Sequence, residues 1–114
     1  MDIALIRDGV CSNVAVFDTV EHAKEFFRDS YDFIIECPEY RGIGHRYIDG
    51  CWYNPQPQKY EGKYYFVKDM DVKAGDLVID PSGDEYEALV DIELQQIEPS
   101  KLPEKYKLLE AEVR

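Results

Sequence analysis

Reactive side chains are scarce in this chain. Histidine occurs only at positions 22 and 45, and cysteine only at 11, 37 and 51. The cysteines lie far apart with no Cys-x-x-Cys pair, so the spacing of a zinc site is missing. Their odd number also speaks against a secreted disulfide scaffold. No apolar run approaches the roughly 20 residues of a membrane-crossing helix. The opening MDIALIRDG has one short apolar run flanked by charge and does not read as a signal peptide. Buried free thiols in a reducing intracellular setting are the expectation. Repeats and low-complexity segments are absent as well.

Positive charge is also in short supply. Thirteen Lys and Arg face 24 Asp and Glu, a formal net charge of −11. That balance repels a polyanion, and no basic stripe interleaved with aromatics offsets it, so direct nucleic-acid binding is not expected. The acidity serves solubility or, in a sharper reading, imitates phosphates in a basic groove on a partner.

What the chain does have is apolar and aromatic material. Hydrophobic residues make up 45% of 114 positions, enough for one compact domain or two very small ones. Nine tyrosines tilt the reading toward β-structure, where a half-buried pleated surface suits them.

Residues 2–6 and 10–17 flank Asp8-Gly9, a tight-turn signal, and read as an opening β-hairpin. In the second strand Val10, Ser12, Val14 and Val16 share one face, and Cys11, Asn13, Ala15 and Phe17 the other. Asp18 and Glu21 have the spacing of a capping box. Val20, Ala23, Phe26 and Phe27 then recur at helical spacing, predicting an amphipathic helix over about 19–29 that covers the sheet. Residues 31–37 alternate, with Phe33, Ile35 and Cys37 on one face and Ile34 on the other. A second Asp-Gly, at 49–50, joins residues 45–48 and 51–53 into another hairpin. Asn54-Pro-Gln-Pro-Gln58 cannot enter a central strand and reads as a stiff boundary. Beyond it, residues 63–67, 77–79 and 86–92 read as strands, with a bend near Asp91 and a continuation over 94–98. Residues 105–113 favour a helix by type and a strand by alternation; a closing strand is what a small barrel requires.

The hairpin IALIRDGVCSNVAVFDT and the later GIGHRYIDGCWYNP resemble the N-terminal module of small bacteriophage tail-associated proteins. Gly9, Asn13, Val14 and Val16 match its first pattern. Gly42, Ile43, Gly44, Tyr47, Asp49, Gly50 and Pro55 match its second, with Trp52 or Tyr53 near the usual aromatic and Ile48 as an inserted residue. Residues 65–68 and 71–78, with Gly75-Asp76-Leu77-Val78, are similar to small β-barrel proteins of phages and prophages. The resemblance implies a phage or mobile-element protein, in host cytoplasm or virion, and transfers no catalytic residue.

Few constellations suggest chemistry. His45 and Cys51 lie on either side of the second hairpin's turn and could form a dyad, but no third group to orient the imidazole is legible, so cross-strand packing is the better reading. Asp80, Asp84 and Glu85 lack the ligand spacing of a calcium loop and read as a turn. Gly42-x-Gly44 lacks the third glycine and helix of a dinucleotide site. The aromatics Tyr40, Tyr47, Trp52 and Tyr53 are candidates for a protein-contact surface, since Trp and Tyr anchor interfaces; the alternative is that they fill small cores. Trp52 and Tyr53, adjacent in a strand, must point opposite ways.

The expectation is therefore an α+β, mainly β chain of two small antiparallel β modules: a hairpin–helix–hairpin module over 1–54, a Pro-containing connector over 55–62 and a barrel-like module over 63–114. The expected role is a non-enzymatic protein-binding protein of phage type, structural or assembling in the virion or tail, open to homo-oligomerisation, without catalytic residue, metal or other cofactor, and without membrane contact. The alternative is a small acidic phage-encoded inhibitor of a host defence complex, a nucleic-acid mimic such as an anti-CRISPR.

Overall fold

The computed structural model describes residues 1–109. The fold is α+β and mainly β, and the chain divides into two compact units, Met1–Pro55 and a second beginning at Gln56.

In the first unit β1 (Asp2–Arg7) and β2 (Val10–Val16) form the expected hairpin. Asp8 and Gly9 have φ of 54° and 76°, the mirror-image turn whose twist matches the strands. Helix α1 (Val20–Phe27) follows, then a 3-10 turn at Arg28–Ser30. β3 (Phe33–Glu36), β4 (Arg46–Ile48) and β5 (Cys51–Tyr53) complete a five-stranded sheet in the order β3-β1-β2-β4-β5. Asp49 and Gly50, φ 51° and 80°, close the second hairpin at the expected turn, with Ile48 opposite Cys51.

One face of this sheet lies under α1. Ile3, Leu5, Ala23 and Ile34 are buried there, backed by Ala15, Phe17, Val20, Phe27 and Tyr31. The other face carries buried Ala4, Ile6 and Cys11, with Val14, Ile35, Cys37, Tyr47 and Trp52 packed against them.

Three local expectations change. The helix cap is Thr19, not Asp18: its side chain accepts the His22 N–H at 3.0 Å, because Thr19 is the residue left extended before the first turn. Phe26 is 70% exposed rather than in the core; only Val20, Ala23 and Phe27 lie on the stripe that meets the sheet. Cys11 shares its face with Val14 rather than with Ala15 and Phe17. Leu5 pairs with Asn13 but Ile6 pairs with Cys11, so Ser12 is an extra residue, and this bulge inverts the alternation.

The second unit holds β6 (Lys63–Tyr65), β7 (Met70–Val72), β8 (Leu77–Ile79), β9 (Glu85–Ala88), β10 (Ile92–Gln95) and β11 (Tyr106–Leu109). A half-barrel sheet runs β11-β9-β8-β6, and β10 pairs with β7 separately. The pairings are antiparallel except β6 with β8, which run parallel because the chain crosses through β7 between them. Sequence reading did not anticipate β7. The expected long strand breaks after Ala88, and the Asp91 carboxylate instead accepts the Ala74 N–H at 2.8 Å. β11 is a strand as read, and the rest of 105–113, from 110 on, lies outside the described residues. Within 55–62, Tyr60 pairs with Lys63 around a tight Glu61-Gly62 turn, φ 50° and 81°. The core gathers Met70, Val72, Val78, Ala88 and Tyr106.

The Asp80 turn is structural, as its spacing suggested. Buried Asp80 accepts the Ser82 N–H at Oδ2 and the Ser100 N–H at Oδ1, both at 3.0 Å. Burial pushes its pKa up, but the Ser100 and Ser82 donors together outweigh this and hold it below the ordinary carboxylate value. A folded pKa below the unfolded one means the stabilisation is present above about pH 4 and is lost as pH falls through the folded value. Asp80→Asn, which turns one acceptor into a donor, is expected to cost about 1 kcal/mol at pH 7 in urea unfolding. The gap to the native chain should shrink as pH falls through the lowered folded value.

Candidate protein-contact site

The four aromatics singled out in the sequence do not form one surface. Tyr47 and Trp52 are directly opposed across β4 and β5, and opposed residues share a face, so their rings meet edge to face at 5.3 Å and 61°. Tyr53 pairs with Arg46 one position further on, which places it on the opposite face. Tyr40 stands apart in the loop between β3 and β4, 75% exposed, with the Arg41 guanidinium 5.2 Å from its ring centroid.

The ring that joins Tyr47 and Trp52 is Phe33, on β3. Its centroid lies 5.7 Å from that of Tyr47, at 67°. Phe33 and Tyr47 belong to strands three places apart in the sheet, which a flat sheet would separate by about 14 Å. The sheet therefore curls, and Phe33, Tyr47 and Trp52 form a roof over Ile6 and Cys11, both fully buried. Tyr47 and Trp52 are half-buried in this roof, while Phe33, at the outer end, is 53% exposed. The sequence held part of this signal, since Phe33 alternates with Ile35 and Cys37. It held no sign of the curl.

The loop that carries Tyr40 is tied down by its backbone. Gly44 donates to Cys11 O at 2.9 Å, and Cys11 donates back to His45 O at 2.8 Å. Gly44 has φ 90°, a conformation a side chain would strain. Arg41 donates from Nη1 to His45 Nδ1 at 3.3 Å and to Asn54 Oδ1 at 3.4 Å, while its main-chain oxygen accepts the Cys37 thiol at 3.3 Å. An Nδ1 that accepts leaves the imidazole proton on Nε2.

The His45–Cys51 pairing expected across the hairpin does not form. Cys51 opposes Ile48 beside the turn, whereas His45 precedes β4 at the other end of the hairpin. Cys11 and Cys37 are pushed above the ordinary thiol pKa, chiefly by burial. Hydrogen bonding to the Leu5 and Asn13 backbone partly offsets this at Cys11, and nearby Cys11 and Asp2 add to it at Cys37. Higher thiol pKa values mean less thiolate and weaker nucleophiles. Among the described residues no group of three His, Cys, Asp or Glu side chains is placed to hold a metal ion, and no helix is long and apolar enough to cross a membrane.

No protein-family model, no curated protein and no solved structure matches this chain.

Proposed function

We propose that the chain is a phage-type, non-enzymatic protein-binding protein with a structural or assembly role in the virion or tail. The observation that carries the contact reading is the aromatic run Phe33–Tyr47–Trp52, half-buried at its inner end and exposed at its outer end. A ring already held by edge-to-face contacts loses little freedom on binding and offers a large apolar area, which is how interface anchors work. Exposed Tyr40, on a loop fixed by the Cys11 backbone, is a second anchor of the same kind. The phage assignment rests on the sequence resemblance of the two hairpins and of the second unit.

A tagged chain incubated with dissociated virion proteins should recover one of them, and light scattering after size exclusion should reveal any self-assembly. Phe33→Ala should weaken the recovered complex about tenfold or more without unfolding the chain, because half of the ring is already in solvent. A monomer that recovers no virion protein contradicts the assembly role. Recovery of a host nuclease complex instead, weakening steeply with salt, gives the acidic-inhibitor reading.

A further inference from the structure

The first unit has a second feature that the contact reading does not use. An open cavity of about 360 Å³ lies where α1 ends and β3 begins, lined by Lys24, Arg28, Asp29, Tyr31, Asp32 and Ile34. That volume is within the range of small-molecule sites. Ile34, 5% exposed, supplies an apolar wall, and the Tyr31 ring supplies another. Arg7 braces that ring from outside the cavity: its guanidinium lies 4.7 Å from the centroid and its Nη2 donates to Ser30 O at 2.6 Å.

The residue at the mouth is in an uncommon conformation. Arg28 closes the helix with φ 51° and ψ −120°, donating its N–H to Lys24 O. That backbone region suits glycine and costs other residues about 1–3 kcal/mol. Nothing in the packing explains an arginine there, since its side chain is exposed. Lys24, four residues earlier, lines the same cavity, and neither cation has an ion-pair partner among the described residues. Strain kept at the rim of a cavity, by a side chain with nothing to hold, is the pattern of a binding group.

The local charge narrows the ligand. Asp32 spends Oδ2 on the Asp8 N–H at 2.8 Å, and Asp29 sits exposed at the rim. Two cations and two carboxylates line the cavity, a formally neutral set that admits one added negative charge at less cost than several. We propose that this cavity binds a small organic monocarboxylate. Its oxyanion lies between Lys24 and the planar fork of Arg28, and its apolar body lies against Tyr31 and Ile34. This site does not depend on the protein-contact reading.

The test is an NMR titration of the full ¹⁵N-labelled chain with benzoate and hexanoate, using benzyl alcohol as the uncharged control and ATP as the polyanion. Saturable shifts at Lys24, Arg28, Tyr31 and Ile34 are expected with both carboxylates, and not with benzyl alcohol or ATP. Arg28→Gly should weaken binding at least tenfold while leaving the melting temperature unchanged or raised, since glycine accepts this backbone without strain. Lys24→Gln should weaken it by a smaller factor. Equal shifts with benzyl alcohol, tighter binding of ATP, or full binding by Arg28→Gly would each overturn the assignment.

Discussion

Leu5→Ala is expected to lower the unfolding free energy of the first unit by about 2–5 kcal/mol. Leu5 is fully buried between the sheet and α1, where it packs with Ile3, Ala23 and Ile34. The alanine leaves a cavity that its neighbours cannot easily fill. β1 is an interior strand of the sheet, pinned by β2 on one side and β3 on the other, and the neighbouring Ala23 has only a methyl group to offer. A unit of this size has little stability to spare, so a loss at the upper end of the range leaves it largely unfolded at 25 °C. Urea unfolding followed by the NMR signals of Phe17, Phe27 and Tyr31 checks this. A cost under about 1 kcal/mol would mean that α1 does not pack on β1 as described.

Tyr106→Ala should be comparably severe for the second unit, at about 3–5 kcal/mol. Tyr106 is 3% exposed, meets Tyr86 edge to face at 6.3 Å, and donates its hydroxyl to Gln95 Oε1 at 2.5 Å. Gln95, also buried, passes its amide on to Ile97 O at 2.7 Å, so the hydroxyl is one end of a closed chain. Tyr106→Phe keeps the ring but strands that acceptor, at a cost of about 1–3 kcal/mol. The hydroxyl also sets an alkaline limit. Burial pushes its pKa up to about 12. A folded pKa above the unfolded value of about 10 means the unfolded chain loses its proton first. Stability is then full below pH 10 and falls as pH rises toward 12, by at most about 1.4 kcal/mol per unit. Stability of the Tyr106→Phe protein over that interval should decline less steeply. Parallel decline of the two proteins would show that another group sets the alkaline limit.

The elements that sequence reading located are those whose signals are local. Asp8-Gly9 and Asp49-Gly50 each demand positive φ at two successive residues, which few dipeptides other than Asx-Gly tolerate, so both hairpin turns were legible. The apolar spacing of Val20, Ala23 and Phe27 placed α1, although Phe26 shows that a stripe read from spacing alone comes out too wide. What escaped is non-local. The bulge at Ser12 has no side-chain signature, and it moves Cys11 to the other face. β7 is three residues long, too short for alternation to declare it, and the parallel pairing of β6 with β8 depends on the chain passing through β7 first. In the candidate site Tyr47 and Trp52 were legible as aromatics but not as an opposed pair, since His45 was set against Cys51 across the hairpin. Phe33 was not legible as their neighbour, because its approach to Tyr47 comes from the curl of the whole sheet.

Contact through the aromatic end of the first unit is tested most directly by placing a photo-crosslinking benzoylphenylalanine at one position at a time. Positions 33 and 40 carry the exposed anchors, and positions 16 and 108 are exposed apolar controls outside the site. Irradiation with dissociated virion proteins should yield one and the same virion protein from positions 33 and 40 and nothing from 16 or 108. Crosslinks from 16 or 108 with none from 33 and 40, or no virion protein from any position, would contradict the role assigned to this surface.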